Sequence, residues 1–480
     1  FLKYPHEVQN ELLMTLLTIS KDTEIGKIYD FKSIRNYREF SQRVPVSTYE
    51  DYQNLIERSR KGEHNIFWSK PIKWFAKSSG TTGAKSKFIP VSSNSLEDCH
   101  YAASKDLLCM YLNNNEGSTL FNGKNLRLGG SKELYEENGT IFGDLSAILI
   151  HNMPFWAEFS STPSNKVSLM SDWEYKMQAI VNETMNENVT SLAGVPSWML
   201  VLLNNVLETS GNKTILDAWP NLEVYFHGGV SFLPYVDQFK SIIPSKSVKY
   251  YEIYNASEGF FAIQDRNDSD ELLLMLDYGI FYEFIPMNVY GRATEKVIPL
   301  SEVEVGKNYA IIVTTNAGLW RYKIGDTVTF TSTSPYRIKV TGRTKHFINV
   351  FGEELIIENT DKAIKIATQK TQTEIVDYTA APIFMEGKSK GAHEWIIEFK
   401  TPPKDLQYFV ELLDNSLKAL NSDYEAKRYN NITLNIPKVH VAQKGLFHKW
   451  MKKNNKLGGQ HKVPRLSNYR QFLEKLLEMN

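Results

Sequence analysis

Cysteine is scarce in this 480-residue chain, which contains Cys99 and Cys109 alone. The two lie ten residues apart in one helical pattern, and a rise of 1.5 Å per residue separates them by about 15 Å, too far for a disulfide. The sequence therefore excludes a disulfide framework. The ten histidines show no His-x-x-x-His spacing and the cysteines no Cys-x-x-Cys spacing, so a zinc centre and a nucleophilic triad are unsupported.

An excess of charge of one sign is also missing, because 55 basic residues balance 55 acidic ones. Such a chain has no overall field to hold nucleic acid or an anionic membrane, so we expect neither as a partner. There is no run of 18 apolar residues, and the sequence therefore predicts no membrane span. No charged-then-apolar leader follows Phe1, although one could have been trimmed, and the cytoplasm is the expected location.

The composition is that of an ordinary globular protein, with 42% hydrophobic and 23% charged residues. From Phe75 to about Arg343, strand-like runs that end in glycine or polar turns alternate with helical patterns, which favours an α/β core. Beyond that point the pattern becomes that of a compact α+β unit. We expect the α/β class, with a large N-terminal domain of mixed β-sheets and helices at 1–342 and a small C-terminal domain at 343–480.

Capping signals predict where some helices begin and end. Ser47 and Glu50 resemble a capping box that opens a helix from Tyr49 to Arg60. A helix over 197–209 should end at Gly211, and another should cover 96–111.

A turn rich in hydroxyls, glycine and lysine follows an apparent strand over 73–77. It reads Ser78-Ser79-Gly80-Thr81-Thr82-Gly83-Ala84-Lys85-Ser86-Lys87. Glycines let backbone N–H groups approach an anion, hydroxyls add donors, and lysines add charge, which together make a cradle for a polyphosphate. The spacing is not that of a P-loop, and a solvated Ser/Thr turn is the alternative.

Two further turns follow strand-like runs in the α/β part. Gly228 and Gly229 would allow backbone contact with a flat ligand, or would form a plain turn. The later turn reads Tyr254-Asn255-Ala256-Ser257-Glu258-Gly259 and stands where ligands gather in open α/β sheets. Tyr254 could stack on a base and Glu258 offers a hard oxygen to Mg²⁺, whereas an exposed loop with an ordinary acid is the alternative.

Two charged residues near the expected boundary could bind a sugar. Asp326 follows a strand-like run and a glycine, and its carboxylate could accept two hydrogen bonds from a ribose diol. Arg343 could reach sugar and phosphate oxygens through its planar fork. The alternatives are a turn residue and a surface ion pair.

The segment 446–470 contains seven lysines or arginines and no acid. A nucleic-acid patch, a solvated face, and a glycine-bearing loop that carries one lysine into an ATP site are the possible interpretations. Together with the phosphate cradle and the two acids, the third interpretation indicates activation of a substrate by a nucleotide.

The order of these motifs resembles the adenylate-forming superfamily of acyl-CoA synthetases, adenylation domains and luciferases. The resemblance is closer to its Gretchen Hagen branch, the auxin-responsive acyl acid amido synthetases. It extends nearly end to end through five segments: Val44-Pro45-Val46-Ser47-Thr48-Tyr49-Glu50-Asp51-Tyr52, Phe75 to Thr82, Tyr254 to Glu258, Ala317 to Asp326, and Gln460-His461-Lys462-Val463-Pro464-Arg465.

The resemblance implies a ligase that uses ATP and Mg²⁺. A carboxylic acid would be adenylated to acyl-AMP with release of pyrophosphate, and an amine such as an amino acid would then displace AMP. The resemblance implies that Glu258 binds Mg²⁺ and acts with Lys462 in catalysis, while Asp326 holds the ribose and Arg343 lies at a hinge. The full set expected to bind ATP is Ser78, Ser79, Gly80, Thr81, Thr82, Lys87, Gly228, Gly229, Tyr254, Ser257, Asp326 and Arg343, with Lys85 as an alternative to Lys87.

The acyl pocket is indicated less strongly. Val195 and Trp198 stand in a segment that resembles the family's helix beside the acyl acid, although core packing would explain them equally. Arg127 could meet a carboxylate, or could be a surface arginine. An acyl-CoA ligase with a thiol acceptor and a catalytically silent adenylate-binding protein are the rival functions.

Overall fold

The structure is a computed structural model. It describes residues 1–78, 87–129, 134–170, 172–229, 232, 235–344, 347–353, 355–385, 389–429, 433–453 and 463–480.

These residues divide into two compact units. The larger unit comprises the described residues of Phe1–Ser78, Lys87–Phe232 and Phe239–Thr344. The smaller unit comprises the described residues of 345–480 together with the short segment 235–238.

Helices occur in both units. The α-helices are α1 (Pro5–Ser20), α2 (Glu24–Ile28), α3 (Tyr37–Arg43), α4 (Tyr49–Arg60), α5 (Ala102–Asn114), α6 (Leu145–His151), α7 (Phe155–Phe159), α8 (Asn165–Ser168), α9 (Trp173–Thr184), α10 (Pro196–Ser210), α11 (Ile215–Ala218), α12 (Val236–Ile242), α13 (Ile357–Thr371), α14 (Leu406–Leu420), α15 (Ser422–Arg428), α16 (Leu446–Lys453) and α17 (Gln471–Leu477). A π-helical segment, Ser95–Tyr101, precedes α5, so the helix expected over 96–111 is two segments.

The ends of two helices show what the local signals determine. Helix α10 ends at Gly211, whose φ of 71° is left-handed, as expected. Helix α4 begins at Tyr49, but the capping box uses Thr48 and Asp51 instead of Ser47 and Glu50. Ser47 lies before the cap because its backbone pairs with residues 321 and 323, and its hydroxyl donates to the carbonyl of Trp320 at 2.8 Å.

The strands form four sheets in the described part of the chain. They are β1 (Trp74–Ser78), β2 (Lys87–Val91), β3 (Lys124–Arg127), β4 (Tyr135–Glu137), β5 (Thr140–Gly143), β6 (Ser161–Thr162), β7 (Val189–Gly194), β8 (Val224–Gly228), β9 (Lys249–Ala256), β10 (Gly259–Ile263), β11 (Leu272–Leu274), β12 (Ile280–Pro286), β13 (Ile298–Pro299), β14 (Asn308–Thr315), β15 (Tyr322–Thr333), β16 (Tyr336–Arg343), β17 (Phe347–Ile348), β18 (Leu355–Ile356), β19 (Glu374–Ile383), β20 (Ala392–Thr401) and β21 (Lys438–Val441).

One large mixed sheet organises the larger unit. Its strand order is β13-β12-β14-β15-β16-β11-β10-β9-β8-β7-β3-β6. The run β6-β3-β7-β8-β9 is parallel, and the remaining neighbours pair antiparallel. A smaller sheet, β2-β1-β5-β4, belongs to the same unit. The core of the larger unit consists of buried aromatic and aliphatic side chains, including Trp68, Trp320 and Phe261.

The smaller unit is built on the sheets β17-β18 and β19-β20-β21, with α13 and α14 packed together. Its core includes Trp450 and Ile396. The expected α/β class, with mixed sheets in a large N-terminal part and an α+β C-terminal part, is confirmed. No helix among the residues described is both long enough and apolar enough to cross a membrane.

Candidate functional site

The carboxyl ends of the parallel strands meet at one edge of the large sheet. Strands β3, β7, β8 and β9 are consecutive neighbours in parallel pairing, so their last residues, Arg127, Gly194, Gly228 and Ala256, lie along that edge. Ligands bind at such an edge because helices and loops open there while the sheet positions the side chains. Most of the described residues that the sequence predicts to bind ATP or the acyl acid stand on or beside it.

A two-residue turn at this edge presents Glu258. Strands β9 and β10 form an antiparallel hairpin in which Ala256 pairs with Gly259, so Ser257 and Glu258 are the two turn residues. Both are partly buried. The turn therefore holds a carboxylate at the end of a central strand.

The environment of Glu258 disfavours its charged form. The pKa of Glu258 is raised to about 7, chiefly by burial and also by the negative charge of Asp326. The positive charges of Lys87 and Arg343 act in the opposite direction. These electrostatic interactions mean that four charged residues from distant parts of the sequence lie near one another: Lys87, Glu258, Asp326 and Arg343.

Asp326 is the centre of a hydrogen-bonded network. The Tyr254 hydroxyl donates to Asp326 Oδ2 at 2.7 Å, and Arg343 Nε lies 2.8 Å from Asp326 Oδ1. Arg343 is also the residue opposite Asp326 in the β15–β16 pairing. Tyr254 and Asp326 are each 7% exposed. Burial raises the pKa of the Tyr254 phenol well above 10, so this hydroxyl remains a donor at neutral pH.

The contact between Tyr254 and Asp326 requires the sheet to curl. Strand β9 is four positions from β15 in the strand order. Four intervals would span roughly 19 Å in a flat sheet, which a tyrosine side chain cannot bridge. The twist and curl of the sheet therefore bring the turn after β9 to the start of β15.

The phosphate-binding turn expected from the sequence lies mostly outside the described residues. Ser79, Gly80, Thr81, Thr82 and Lys85 fall in the segment 79–86, and of Ser78 the backbone alone is described. The residues that flank this segment are paired, Ser78 opposite Lys87, at one end of the β1–β2 ladder. Lys87 Nζ lies 5.5 Å from the ring centroid of Tyr49.

Gly228 and Gly229 have different structural reasons to be glycine. A Cβ atom on Gly228 would lie 2.5 Å from the carbonyl oxygen of Ile253 in the neighbouring strand. Gly228 is therefore needed for strand packing, whatever ligand it meets. Gly229 has a φ of 82°, is exposed, and follows directly after β8.

The residues expected in the acyl pocket lie further along the same edge. Val195 is the N-cap of α10, and Trp198, in the first turn of that helix, is partly buried. Arg127 is 8% exposed and donates to the Met153 sulfur at 2.6 Å and to the Asn165 side-chain oxygen. Burial lowers the pKa of Arg127. Its hydrogen-bond partners are thus neutral, and it is not a surface arginine.

Lys462 lies outside the described residues, in the segment 454–462. The residues that follow it are described. The carbonyl of Arg465 accepts from the Ala380 N–H at 2.8 Å, and the carbonyl of Pro464 accepts from the Thr379 hydroxyl at 2.6 Å.

The sequence reasoning assigned no role to Tyr49. Its hydroxyl accepts the backbone N–H of Phe88 at 2.9 Å, next to Lys87. The signal for it in the sequence is the motif 44–52, which identifies the family but predicts no chemistry.

Profiles of one protein family match most of the chain. The GH3 family N-terminal domain matches residues 1–248, the GH3 family central domain matches 273–343, and the GH3 family C-terminal domain matches 358–471.

Curated relatives match over nearly the whole length. Indole-3-acetic acid-amido synthetase GH3.4 of Arabidopsis thaliana is 23% identical, over 96% of this chain and 89% of its own length. Jasmonoyl--L-amino acid synthetase JAR6 of Nicotiana attenuata is also 23% identical, over 96% of this chain and 90% of its own. The activity class predicted for this chain is the one these relatives are named for.

Solved structures share the fold. The AtGH3.15 acyl acid amido synthetase in complex with 2,4-DB has a TM-score of 0.64 at 18% identity, covering 99% of this chain and 94% of that chain. 2-Hydroxyisobutyryl-CoA ligase in complex with 2-HIB-AMP and CoA has a TM-score of 0.59 at 14% identity, covering 99% and 92%. The likeness confirms the expected adenylate-forming fold. Since the first of the three family profiles alone covers more than half of the residues, and all three occur in order, the chain belongs to the GH3 family, as the motifs predicted.

Proposed function

We propose that this chain is an ATP-dependent acyl acid amido synthetase. It adenylates a carboxylic acid, releasing pyrophosphate, and transfers the acyl group to an amine, an amino acid in this proposal. The observation that carries the proposal is the convergence of Lys87, Tyr254, Glu258, Asp326 and Arg343 around the carboxyl edge of the large sheet. The sequence predicts these residues to bind ATP, and they lie near one another in the fold.

The residues present fit a Mg²⁺ ion that arrives with ATP. Mg²⁺ is usually held by one or two carboxylates and by substrate phosphates, so a cluster of protein ligands is not needed. Glu258 is a partly buried carboxylate whose charged form is disfavoured in the ligand-free protein. A divalent cation beside it would offset that cost. Bound there, Mg²⁺ would neutralise charge on the phosphate oxygens.

Asp326 is suited to hold the ribose. Each carboxylate oxygen can accept two hydrogen bonds, and among the described residues each has one donor, Tyr254 on one side and Arg343 on the other. One acceptor site per oxygen therefore remains for a ribose diol. The two protein donors fix the orientation of the carboxylate before the sugar arrives, which reduces the entropy lost on binding.

The remaining assignments complete the proposal. Ser78 to Thr82 and Lys87 hold the triphosphate, and the backbone at Gly228 and Gly229 faces the adenine with Tyr254 and Ser257. Val195 and Trp198 line the acyl site at the start of α10, and Arg127 lies two strands beyond β8. The strand order of the sheet supports these assignments, because β9, β8, β7 and β3 are successive neighbours.

Lys462 is proposed to meet the oxygens of the adenylate during the first step. Residues 1–342 and 343–480 are proposed to act as a large substrate-binding domain and a small mobile domain, with Arg343 at the hinge. The proposal also keeps the cytoplasmic location expected from the sequence.

A screen of carboxylic acids tests the proposal. The protein would be incubated with ATP, Mg²⁺ and single acids, including indole-3-acetic and jasmonic acid because relatives are named for them, and pyrophosphate release would be measured. At least one acid should give pyrophosphate in a Mg²⁺-dependent reaction. The active acid is then offered amino acids or CoA as the acceptor, and amide formation is expected. Phosphate release instead of pyrophosphate, thioester formation alone, or no reaction with any acid would contradict the proposal.

A further inference from the structure

The segment 44–52 makes an unusual set of contacts within the larger unit. It lies far in sequence from every residue placed in the ATP site, yet it touches the beginnings of two strands that carry such residues. These are β15, which leads to Asp326, and β2, which begins at Lys87.

The contacts to β15 are dense and buried. Ser47 forms a parallel bridge with Tyr322: its N–H donates to the Arg321 carbonyl and its own carbonyl accepts from the Lys323 N–H, both at 2.9 Å. The Tyr52 hydroxyl accepts the Trp320 N–H at 2.7 Å. The segment thus holds residues 320–323 through their backbone, immediately before the glycine and aspartate of the ribose site.

A buried arginine adds a further link to the same strand. Arg321 Nη1 donates to the carbonyl of Val44 at 2.7 Å. The other side of its guanidinium pairs with Glu283 at 2.8 Å, and the two side chains are 5% and 1% exposed. The start of the segment is therefore fixed to β15 by a group that is itself held in place.

The contact to β2 is made by Tyr49. In the four-stranded sheet, β2 is an edge strand, so some of its N–H groups point away from β1. The N–H of Phe88 is bonded to the Tyr49 hydroxyl at 2.9 Å. The ring of the same tyrosine lies 5.5 Å from Lys87 Nζ, within the range of a cation–π contact. One side chain therefore contacts both the backbone and the charged group at the beginning of β2.

We propose that segment 44–52 is a clamp that sets β2 against β15, and that Tyr49 is a positioning residue for Lys87 relative to Glu258 and Asp326. The inference rests on the proposed function, in which these three residues handle ATP. Tyr49 touches neither substrate nor metal in this proposal and acts through Lys87 alone.

The variant Tyr49→Phe tests the clamp, because it keeps the ring and removes the hydroxyl. Tyr101→Phe is the matched control. Tyr101 is also a partly buried tyrosine with one hydrogen bond to the backbone, to the carbonyl of Leu149 at 2.9 Å, and it is not part of the site.

Hydrogen exchange of the ligand-free proteins gives a readout that does not depend on activity. The Phe88 amide should exchange at least tenfold faster in Tyr49→Phe than in Tyr101→Phe, since its hydrogen-bond partner is gone. Equal protection of this amide in the two variants would overturn the clamp. This arm decides the inference even if the wild-type protein proves inactive with every acid, a result that would remove the proposed function.

The two half-reactions give the second readout. Misplacement of Lys87 should lower pyrophosphate exchange about tenfold in Tyr49→Phe, while aminolysis of supplied acyl-adenylate stays within about twofold of the wild type, because that step no longer involves the β- and γ-phosphates. Tyr101→Phe should change neither. Equal losses in both half-reactions, or no loss in exchange, would refute a positioning role for Tyr49.

Discussion

The carboxylate of Asp326 has a structural role in the fold and a proposed role in the site. It accepts a hydrogen bond from the buried hydroxyl of Tyr254 and forms an ion pair with Arg343. The same two oxygens are proposed to accept hydrogen bonds from the ribose hydroxyls. Removing it therefore has two costs. A test must separate lost ligand contacts from a disturbed protein network.

We predict that Asp326→Asn weakens ATP binding by about tenfold or more, because hydrogen bonds to a charged acceptor contribute about 1.5 to 3 kcal/mol each. Tyr254→Phe removes one protein partner of the aspartate and leaves its charge, so it should weaken binding by about threefold or less. Titration calorimetry with ATP and Mg²⁺ measures both. Equal affinities for Asp326→Asn and the wild type would mean that Asp326 has a structural role alone.

Glu258 provides a pH-dependent prediction at the same scale. Its pKa is about 7 in the folded protein and 4.5 for the ordinary side chain. Between these values the folded state holds a proton that the unfolded state has lost, so ionisation of Glu258 destabilises the fold as the pH rises from 4.5 to 7. Glu258→Gln should therefore stabilise the ligand-free protein by up to about 3 kcal/mol at pH 8 and by close to zero at pH 4.

Urea unfolding at the two pH values measures this difference. The same variant should lose Mg²⁺-dependent pyrophosphate release, since an amide cannot offer the charge that Glu258 does. A variant that is no more stable than the wild type at pH 8 would show that the carboxylate is well solvated or already compensated.

Individual elements depend on contacts that join distant parts of the chain. The start of β15 is the clearest example, since Arg321 has a φ of 46°, bonds the carbonyls of Ser41 and Val44, and pairs with the buried Glu283. Residues 41–44, β12 and β15 meet at this one guanidinium. Part of the motif 317–326 is therefore required for packing, while its last residue, Asp326, is the one proposed to bind the ribose.

We predict that Arg321→Met destabilises the protein by about 3 to 5 kcal/mol, because it leaves the Glu283 carboxylate buried without its partner. Arg266→Met is the control, since Arg266 pairs with Glu271 at the surface and its side chain is 50% exposed. That change should cost less than about 1 kcal/mol. Denaturant unfolding at neutral pH compares them, and similar losses would show that the Arg321 pair is not specially stabilising.

At the scale of the whole molecule, the two steps of the proposed reaction, adenylation and acyl transfer, need different residues. Lys462 is assigned to the first step alone. We predict that Lys462→Ala slows acyl-AMP formation by about 10²-fold or more, the scale of losing one preorganised charged donor. Aminolysis of supplied acyl-AMP should change far less, because AMP is already a good leaving group.

The assay pairs pyrophosphate exchange with single-turnover transfer from a synthetic acyl-adenylate. Lys453→Ala, an exposed lysine in the same basic run, is the control and should change neither step. Equal losses of both steps in Lys462→Ala would point to a structural role. No loss in either would move the lysine function elsewhere in the run 446–470.

Much of this protein was accessible from its sequence because the signals are local. The helix expected from Tyr49 to Arg60 has those bounds in the structure, and α10 is capped by Gly211 as the sequence predicts. Helical periodicity, capping residues and glycine conformation act within a few residues and need no knowledge of the fold. The order and spacing of the motifs likewise determined the family and the fold class.

Other features were decided by tertiary structure, because they join residues that no local pattern connects. Tyr254 meets Asp326 across 72 positions through the curl of a twelve-stranded sheet among the described residues. Ser47 pairs with β15, so the cap of α4 moves to Thr48. The raised pKa of Glu258 and the hydrogen bond of Tyr49 to Phe88 arise from burial and from strand placement. Residue types indicate which chemistry is available, whereas the distances and the solvent exposure that tune it exist only after the chain has packed.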